Sequence, residues 1–449
     1  MSETSLARRL SLAHATAINM IDMVGIGPFI TLPMVIAIMN GPWFLYAWLA
    51  GAILSAVDAM VWSELGAAFP RAGGSYNFLR EAYGKDGAGK FISFLFVWQT
   101  MIQAPLVIAS AAIGFASYFS YLVPLTPLLA KTLSGSVVIL IVLLLYRRIE
   151  TIGKISIFLW AGVILTLFLI IGGGVLHGNF LAPLKEIHQG FSLNAGFITA
   201  LGFASVKSVY SFLGYYNICH LGGEIQNPSR NIPRSMFISI LGISILYLMM
   251  NVSVTSVIPW QEARESEFVI SVFMQRLAGS TAATVVTCLV LWVAFASVFS
   301  ATLGYSRIPY AAAADGSFFK IFARLHPTKQ FPHISLLFLG SVAFIFSLLF
   351  KLSDVISAIL AMRILVQFIG QAIGLLLLHK KRRKTSFPYR MPFFPLPVIL
   401  VIIMWTAILL STGTTMMITG ITATAIGAMV YLLKAKLVNE WPFNPLTKE

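Results

Sequence analysis

Apolar residues run along this chain in stretches of about twenty, the length at which a helix crosses a bilayer. The strict alternation of a membrane β-strand is absent. Twelve stretches are expected to be spans: 12–39, 43–67, 90–120, 134–147, 153–176, 195–220, 236–258, 281–313, 333–352, 354–379, 395–412 and 414–434. The fourth is short, and an upstream extension into Pro127–Leu133 is open. The pattern predicts an all-α membrane protein with 12 transmembrane helices. Arg8 and Arg9 precede a long first span with no small-residue cleavage site after a short apolar core, which reads as an uncleaved span and not a signal peptide.

Composition sharpens this reading. Of 449 residues, 58% are hydrophobic and only 10% charged. That is too little polar surface for a soluble fold and too much apolar mass for disorder. The net charge of +15 would suggest nucleic acid in a soluble domain. Here its placement gives another reason. With the N-terminus cytoplasmic, twenty-three basic residues fall in inner segments and five in outer ones (Lys131, Lys185, Arg264, Arg276 and Lys351). Basic residues set topology by staying inside, so both termini are expected in the cytoplasm and no nucleic-acid partner is expected. The run Lys380–Lys384 reads as a topology anchor or as an attractor of anionic lipid. Cys219 and Cys288 both lie in apolar runs, which gives no disulfide framework. The seven histidines, including His188, lack metal-ligand spacing, so no metal site is expected.

Two spans are interrupted. Gly25-Ile26-Gly27-Pro28 sits midway along the first, and Leu213-Gly214 lies among aromatics in the sixth, Tyr210 to Tyr216. Glycine and proline weaken a helix, and Pro28 removes a backbone N–H. Freed backbone groups are tolerated in a bilayer only inside protein or against a watery cavity. Paired breaks in corresponding halves point to a transport site near the midplane. Half-helix N-termini suit a carboxylate, and half-helix C-termini offer carbonyls to an ammonium. Together they complement a zwitterionic amino acid. Five spans begin with each break, so a 5+5 inverted repeat is expected. The organisation reads as a cytoplasmic N-terminus (1–11), a first five-helix repeat (12–176), a second, inverted one (195–379), two extra helices (395–434) and a cytoplasmic C-terminus (435–449).

At this point the chain resembles the amino acid–polyamine–organocation transporter superfamily, with the inverted-repeat fold of the bacterial leucine transporter. The resemblance rests on several segments in the family's order: Gly25–Phe29, Ser63–Leu65 with Phe69–Tyr76, Gly223–Pro233, Ser306–Tyr310 with Ala314–Gly316, and Phe387–Pro392. It implies a secondary transporter that works by alternating access, rocking spans 1, 2, 6 and 7 against the rest. Its substrate contacts carry over to Gly25, Ile26 and Gly27 in the first break and to Ser211, Phe212 and Gly214 around the second. The Tyr210–Gly214 segment is similar to that of arginine/agmatine antiporters, which nominates Tyr210 as a gate. Gln103 in span three and small Ala301 in span eight are further candidates to line the site, as are Trp98 and Gln99. The chain departs from the family pattern in places. Ile26 stands where a serine is usual, Pro28 has no N–H, and Trp160–Ile164 in span five lacks the lysine that proton-coupled members often carry. Tyr216 stands where those antiporters have an acid.

Ionisable residues at membrane depth default to functional hypotheses. Asp22 suits a proton carrier or a carboxylate at a helix end facing a vestibule. Asp58 and Lys207 are further coupling candidates, and Lys207 equally suits a structural pair. Arg363 in span ten reads as bundle-facing. Asp22 makes H+ a candidate coupling ion, and Ser297 and Ser300, near where sodium-coupled relatives use hydroxyls, keep Na+ open. No other cofactor is expected. Glu224 with Arg230 or Arg234 reads as an inner charge set against Arg71, Arg307 or Asp315. His220 reads as a packed histidine. A valine at Gly27 or Gly214 is expected to abolish binding while leaving the fold.

The resulting expectation is a cell-membrane transporter of a small-molecule substrate, a neutral and fairly bulky amino acid. The alternatives are an organic-amine or polyamine transporter of the same fold, and a non-transporting sensor. No nucleophile–base set supports an enzyme. The loop Leu122–Leu133 has no cysteine, so a disulfide-linked heavy chain is not expected.

Overall fold

A computed structural model describes residues 6–187, 189, 191–350, 359, 361–381 and 387–443. His188, Lys351, Arg382–Lys384, Lys448 and the start of the tenth stretch lie outside the described residues. The described part is helical, with isolated backbone bridges at Leu10–Ile225 and Ala72–Leu221. In chain order the helices are α1 (Leu12–Met23), α2 (Gly27–Met39), α3 (Leu45–Ala68), α4 (Ser75–Tyr83), α5 (Ala88–Phe119), α6 (Pro127–Leu145), α7 (Ile149–His177), α8 (Ala182–Glu186), α9 (Ala195–Phe212), α10 (Asn217–His220), α11 (Pro228–Thr255), α12 (Trp260–Ala263), α13 (Val269–Tyr305), α14 (Arg307–Ala314), α15 (His333–Leu349), α16 (Ala361–Lys381), α17 (Leu396–Ser411) and α18 (Thr414–Val438).

Local sequence explains the boundaries. Ser11 caps α1 in a reciprocal capping box with His14. Asn194 accepts from the Phe197 N–H at 2.8 Å and opens α9. Thr126 caps α6, and Pro127 occupies its first turn, where a missing N–H costs little. The fourth apolar stretch therefore does start upstream, at Pro127, and it ends at Leu145. The eighth begins earlier than expected. α13 runs from Val269 and is kinked at Gly279, whose φ of 81° a side chain would resist.

By length and apolarity alone, eight of the described helices can cross a bilayer, or nine if the bent pair α1–α2 is one span. α15 and α17 are shorter apolar helices. Large apolar side chains stand exposed on outward faces, such as Leu143 on α6, Phe168 on α7 and Leu433 on α18. Polar side chains are buried instead, among them Asn19, Asp58, Glu64, Asn217, His220, Glu224, Arg307 and Arg363. This distribution suits a lipid environment, where the polar groups must find partners inside.

α11 packs on α3 and α1, and α9 packs on α2 and α3. α13 packs on α5 and α7, and α15 on α5 and α6. The two broken helices, α1–α2 and α9–α10, belong to the first of these groups, and α1 also packs on α7 and α13 of the second. α1 and α2 are bent by 42° across Val24–Ile26. Tyr247 of α11 stabilises both breaks. Its Oη lies 2.7 Å from the Met23 carbonyl oxygen and 3.1 Å from that of Ser211, so its single proton serves the ends of α1 and α9. Trp48 and Phe212 pack their rings against Tyr247 and hold it in place. Tyr247→Phe should leave a buried carbonyl unpaired and cost about 1–3 kcal/mol. The readout is a lowered thermal midpoint in detergent with helix content retained; an unchanged midpoint would show that the carbonyls do not depend on this hydroxyl.

Candidate functional site

The first break covers Val24–Ile26 and the second Leu213–Tyr216. Gly27 and Pro28 form the first turn of α2 and are not unwound themselves. At that position Pro28 fits well, but it leaves one N–H fewer at the helix start. The second break needs Gly214, whose φ of 122° is open to glycine. Side chains lock the two breaks together. Thr31 and Ser211 hydroxyls meet at 2.8 Å. The Ile218 N–H at the start of α10 donates to Asn19 Oδ1 of α1 at 3.0 Å. Asn217 Nδ2 donates to the Ser300 carbonyl and hydroxyl at 2.9 and 3.0 Å, and Ser300 Oγ donates to the Ile18 carbonyl at 2.8 Å.

Between the breaks lies a cavity of about 50 Å³. That is room for about three or four waters, a closed-down volume. Asp22, Gly25, Ile26, Gly27, Tyr210, Ser211, Gly214 and Ser297 all line it. Ile26 and Leu213 contribute apolar walls, as do Val107 and Ala111 of α5. Tyr216, Tyr305, Ile359 and Arg363 complete it. Tyr305, Val107, Ala111 and Ile359 escaped the reading of the sequence; they carry no signal beyond lying one or two turns from residues that were considered.

Other candidates lie elsewhere. Phe212 is fully buried against Trp48 and Tyr247. Ala301 packs among Tyr76, Leu79, Ala104 and Tyr305. Gln103 is buried on α5 outside the cavity lining. Trp98 and Gln99 face α18, bonding to the Ala423 carbonyl at 3.1 Å and to Thr424 at 2.7 Å. Asp58 is buried beneath the second break, where it accepts from Trp62 Nε1 at 2.9 Å and from the Tyr215 hydroxyl. Lys207 is half-buried on α9 and does not line the cavity. Ser300 serves the α1–α10–α13 network described above. His220 is fully buried between Trp62, Tyr216 and Tyr305.

Side-chain contacts link the helices on either side of the second break. Tyr210 Oη and Ser110 Oγ of α5 meet at 3.1 Å on one side. On the other side Glu224 forms a buried, bidentate pair with Arg307, both contacts at 3.0 Å. Glu224 also accepts at its carbonyl from the N–H groups of Arg9 and Leu10, and Gln226 N–H donates to the Leu10 carbonyl, each at 2.9 Å. Arg307 is thus the partner of Glu224, whereas Asp315 pairs with Arg80 at 2.7 Å and Arg230 and Arg234 are exposed. Glu64 ties α3 to α16 through His379 Nε2 at 2.5 Å and to the following loop through the Met391 N–H at 2.9 Å.

Two substitutions probe this geometry. A Cβ at Gly27 would stand 3.3 Å from the Tyr210 ring and 3.4 Å from Ser211 Oγ, so Gly27→Val should fill the cavity. We expect loss of substrate binding with a folded protein, measured by ligand-induced thermal shift; retained affinity would remove the cavity from consideration. Gly214→Val is a different matter. Its Cβ would stand 2.7 Å from the Asp22 carbonyl carbon at a positive φ, so it should damage the fold itself, contrary to the expectation from sequence. Glu224→Gln breaks a buried pair, a loss of about 3–5 kcal/mol. It should speed hydrogen exchange at the Arg9, Leu10 and Gln226 amides; unchanged exchange would show that this side is held without the pair.

The Amino acid permease family profile matches residues 10–432. The human Cationic amino acid transporter 4 is 28% identical over 386 residues, which is 79% of this chain and 57% of that protein. The mouse b(0,+)-type amino acid transporter 1 is 26% identical over 419 residues, 90% of this chain and 82% of its own length. The Serine/threonine exchanger SteT of Bacillus subtilis (strain 168) is 24% identical over 408 residues, 89% of this chain and 90% of the exchanger. A profile that spans both broken helices and nearly all of the described helices settles the kinship: the chain belongs to the amino acid permease family of membrane transporters, and it is not an enzyme.

Proposed function

We propose that this chain carries a neutral amino acid across the cell membrane by alternating access, with the substrate held between the breaks at Val24–Ile26 and Leu213–Tyr216. The observation that carries the reading is the cavity at which both breaks meet. Helix ends supply the polar contacts there: free N–H groups at Gly25–Gly27 and carbonyls at the end of α1. Ile26, Val107, Ala111 and Ile359 supply an apolar wall for a side chain. In this reading Tyr210–Ser110 on one side and Glu224–Arg307 on the other serve as the two gates of the cycle.

The proposed topology has twelve crossings, two inverted repeats of five (12–176 and 195–379), two further helices (395–434), and both termini in the cytoplasm. The two packed groups of helices are the moving parts: α1–α2, α3, α9–α10 and α11 rock against α5, α6, α7, α13 and α15. Asp22 is the coupling group we favour, because it lines the cavity while Asp58 does not. Ser297, with its hydroxyl beside Gly25, is the corresponding position for Na+.

The test is uptake by the purified protein in liposomes, with leucine, phenylalanine, alanine, arginine and putrescine, each with and without an inward proton gradient. Saturable, gradient-dependent uptake of a neutral amino acid is expected. Asp22→Asn should then retain exchange and lose the gradient dependence. Uptake of putrescine alone would overturn the reading in favour of an amine carrier.

A further inference from the structure

Resting on the transport reading, we propose that Arg363 is the anchor for the substrate's carboxylate, and that the cavity therefore selects molecules carrying both a carboxylate and an ammonium over amines that lack the acid. Arg363 immediately precedes a π-helical turn of α16, Ile364–Ile369, a distortion common at functional sites. Its side chain is 2% exposed and lines the cavity between the breaks.

The guanidinium is held in a fixed pose by neutral groups. Nε donates to Gln367 Oε1 at 2.7 Å. Nη1 donates to the hydroxyls of Tyr216 and Tyr305 at 2.5 and 2.9 Å. Gln367 is itself braced through Ser75 of α4, and Tyr216 stacks on Trp62 at 4.6 Å. Nη2 makes no hydrogen bond among the described residues, and no carboxylate there is ion-paired with Arg363. The groups that touch the guanidinium are neutral and Asp22 faces it only across the cavity, so a buried cation in this place gains from an anion that joins it. Among the described residues both N–H groups of Nη2 are left for that anion. The tyrosine hydroxyls accept from Nη1.

Asp22 lines the same cavity without an ion-pair contact to Arg363. It stands in the last turn of α1, where the helix dipole adds negative potential. The cavity thus has one negative and one positive side, which matches a zwitterion. The first break is a weaker host for the carboxylate, since Pro28 offers no N–H and Ile26 no hydroxyl. A polyamine would place a second ammonium against Arg363.

The experiment uses the full chain in liposomes and pairs each amino acid with its decarboxylated analogue: leucine with 3-methylbutylamine, and phenylalanine with 2-phenylethylamine. Affinities are read as inhibition of amino acid uptake. The wild type should prefer the acid-bearing member by about 100-fold. Arg363→Gln should weaken the amino acid by about 100-fold and leave the amine unchanged, because truncating one partner of a buried charge pair costs that much. Arg363→Lys should recover part of the preference, since it restores charge without the two-pronged contact. If Arg363→Gln does not fold, Arg363→Lys and Tyr305→Phe carry the test: each should raise the KM for the amino acid and not that for the amine. Normal wild-type uptake with the same preference in these variants would overturn the Arg363 assignment and leave the transport reading intact. Wild-type transport of neither member of any pair would remove both.

Discussion

A helix broken inside an apolar medium leaves backbone N–H and C=O groups that no water can satisfy. The rest of this molecule is arranged around that constraint. Tyr247 covers the carbonyls at the ends of α1 and α9. Asn19 covers the N–H that begins α10, and Asn217 and Ser300 bind α10 and α1 to α13. Each of these polar side chains is buried, an arrangement that pays only if every partner is in place. What these groups do not cover faces the cavity, and in the proposed function the cargo covers it.

This division of labour explains why the buried charges fall into separate roles. Asp58 has two neighbouring donors and fixes the second break from behind. Glu224 and Arg307 satisfy each other. Glu64 binds α3 to α16 and its loop. Asp22 and Arg363 are different, since both reach the cavity and no ion pair joins them. The charges that hold the fold have their partners within the bundle. The two that face the cavity retain capacity for a ligand.

Much of the fold was legible in the sequence because its determinants are local. Apolar stretches, the caps at Ser11, Thr126 and Asn194, and the glycines and proline at the breaks each act within a few residues. The family resemblance rested on segments that the permease profile spans. Which residues line the cavity was less legible, because that depends on helix rotation and on partners remote in the chain. Phe212 is next to Ser211, yet it turns towards Trp48 while Ser211 faces Thr31 and the cavity. Trp98 and Gln99 sit two to three turns from the cavity wall and are captured by α18, whose position no local signal of α5 encodes. Tyr305 becomes notable only when Arg363, 58 residues further on, is placed against it. The strain at Gly214 was likewise hidden, because it arises from close approach of Asp22 and not from the second break alone.

The most direct test of this account is a cryo-electron microscopy map of the protein in lipid nanodiscs with a transported amino acid bound. The account predicts density for one molecule between the two breaks, bounded by Gly25–Gly27, Tyr210 and Gly214. Density confined to another cleft, such as that beside Trp43 and Trp260, with the central cavity as small as it is here, would contradict it.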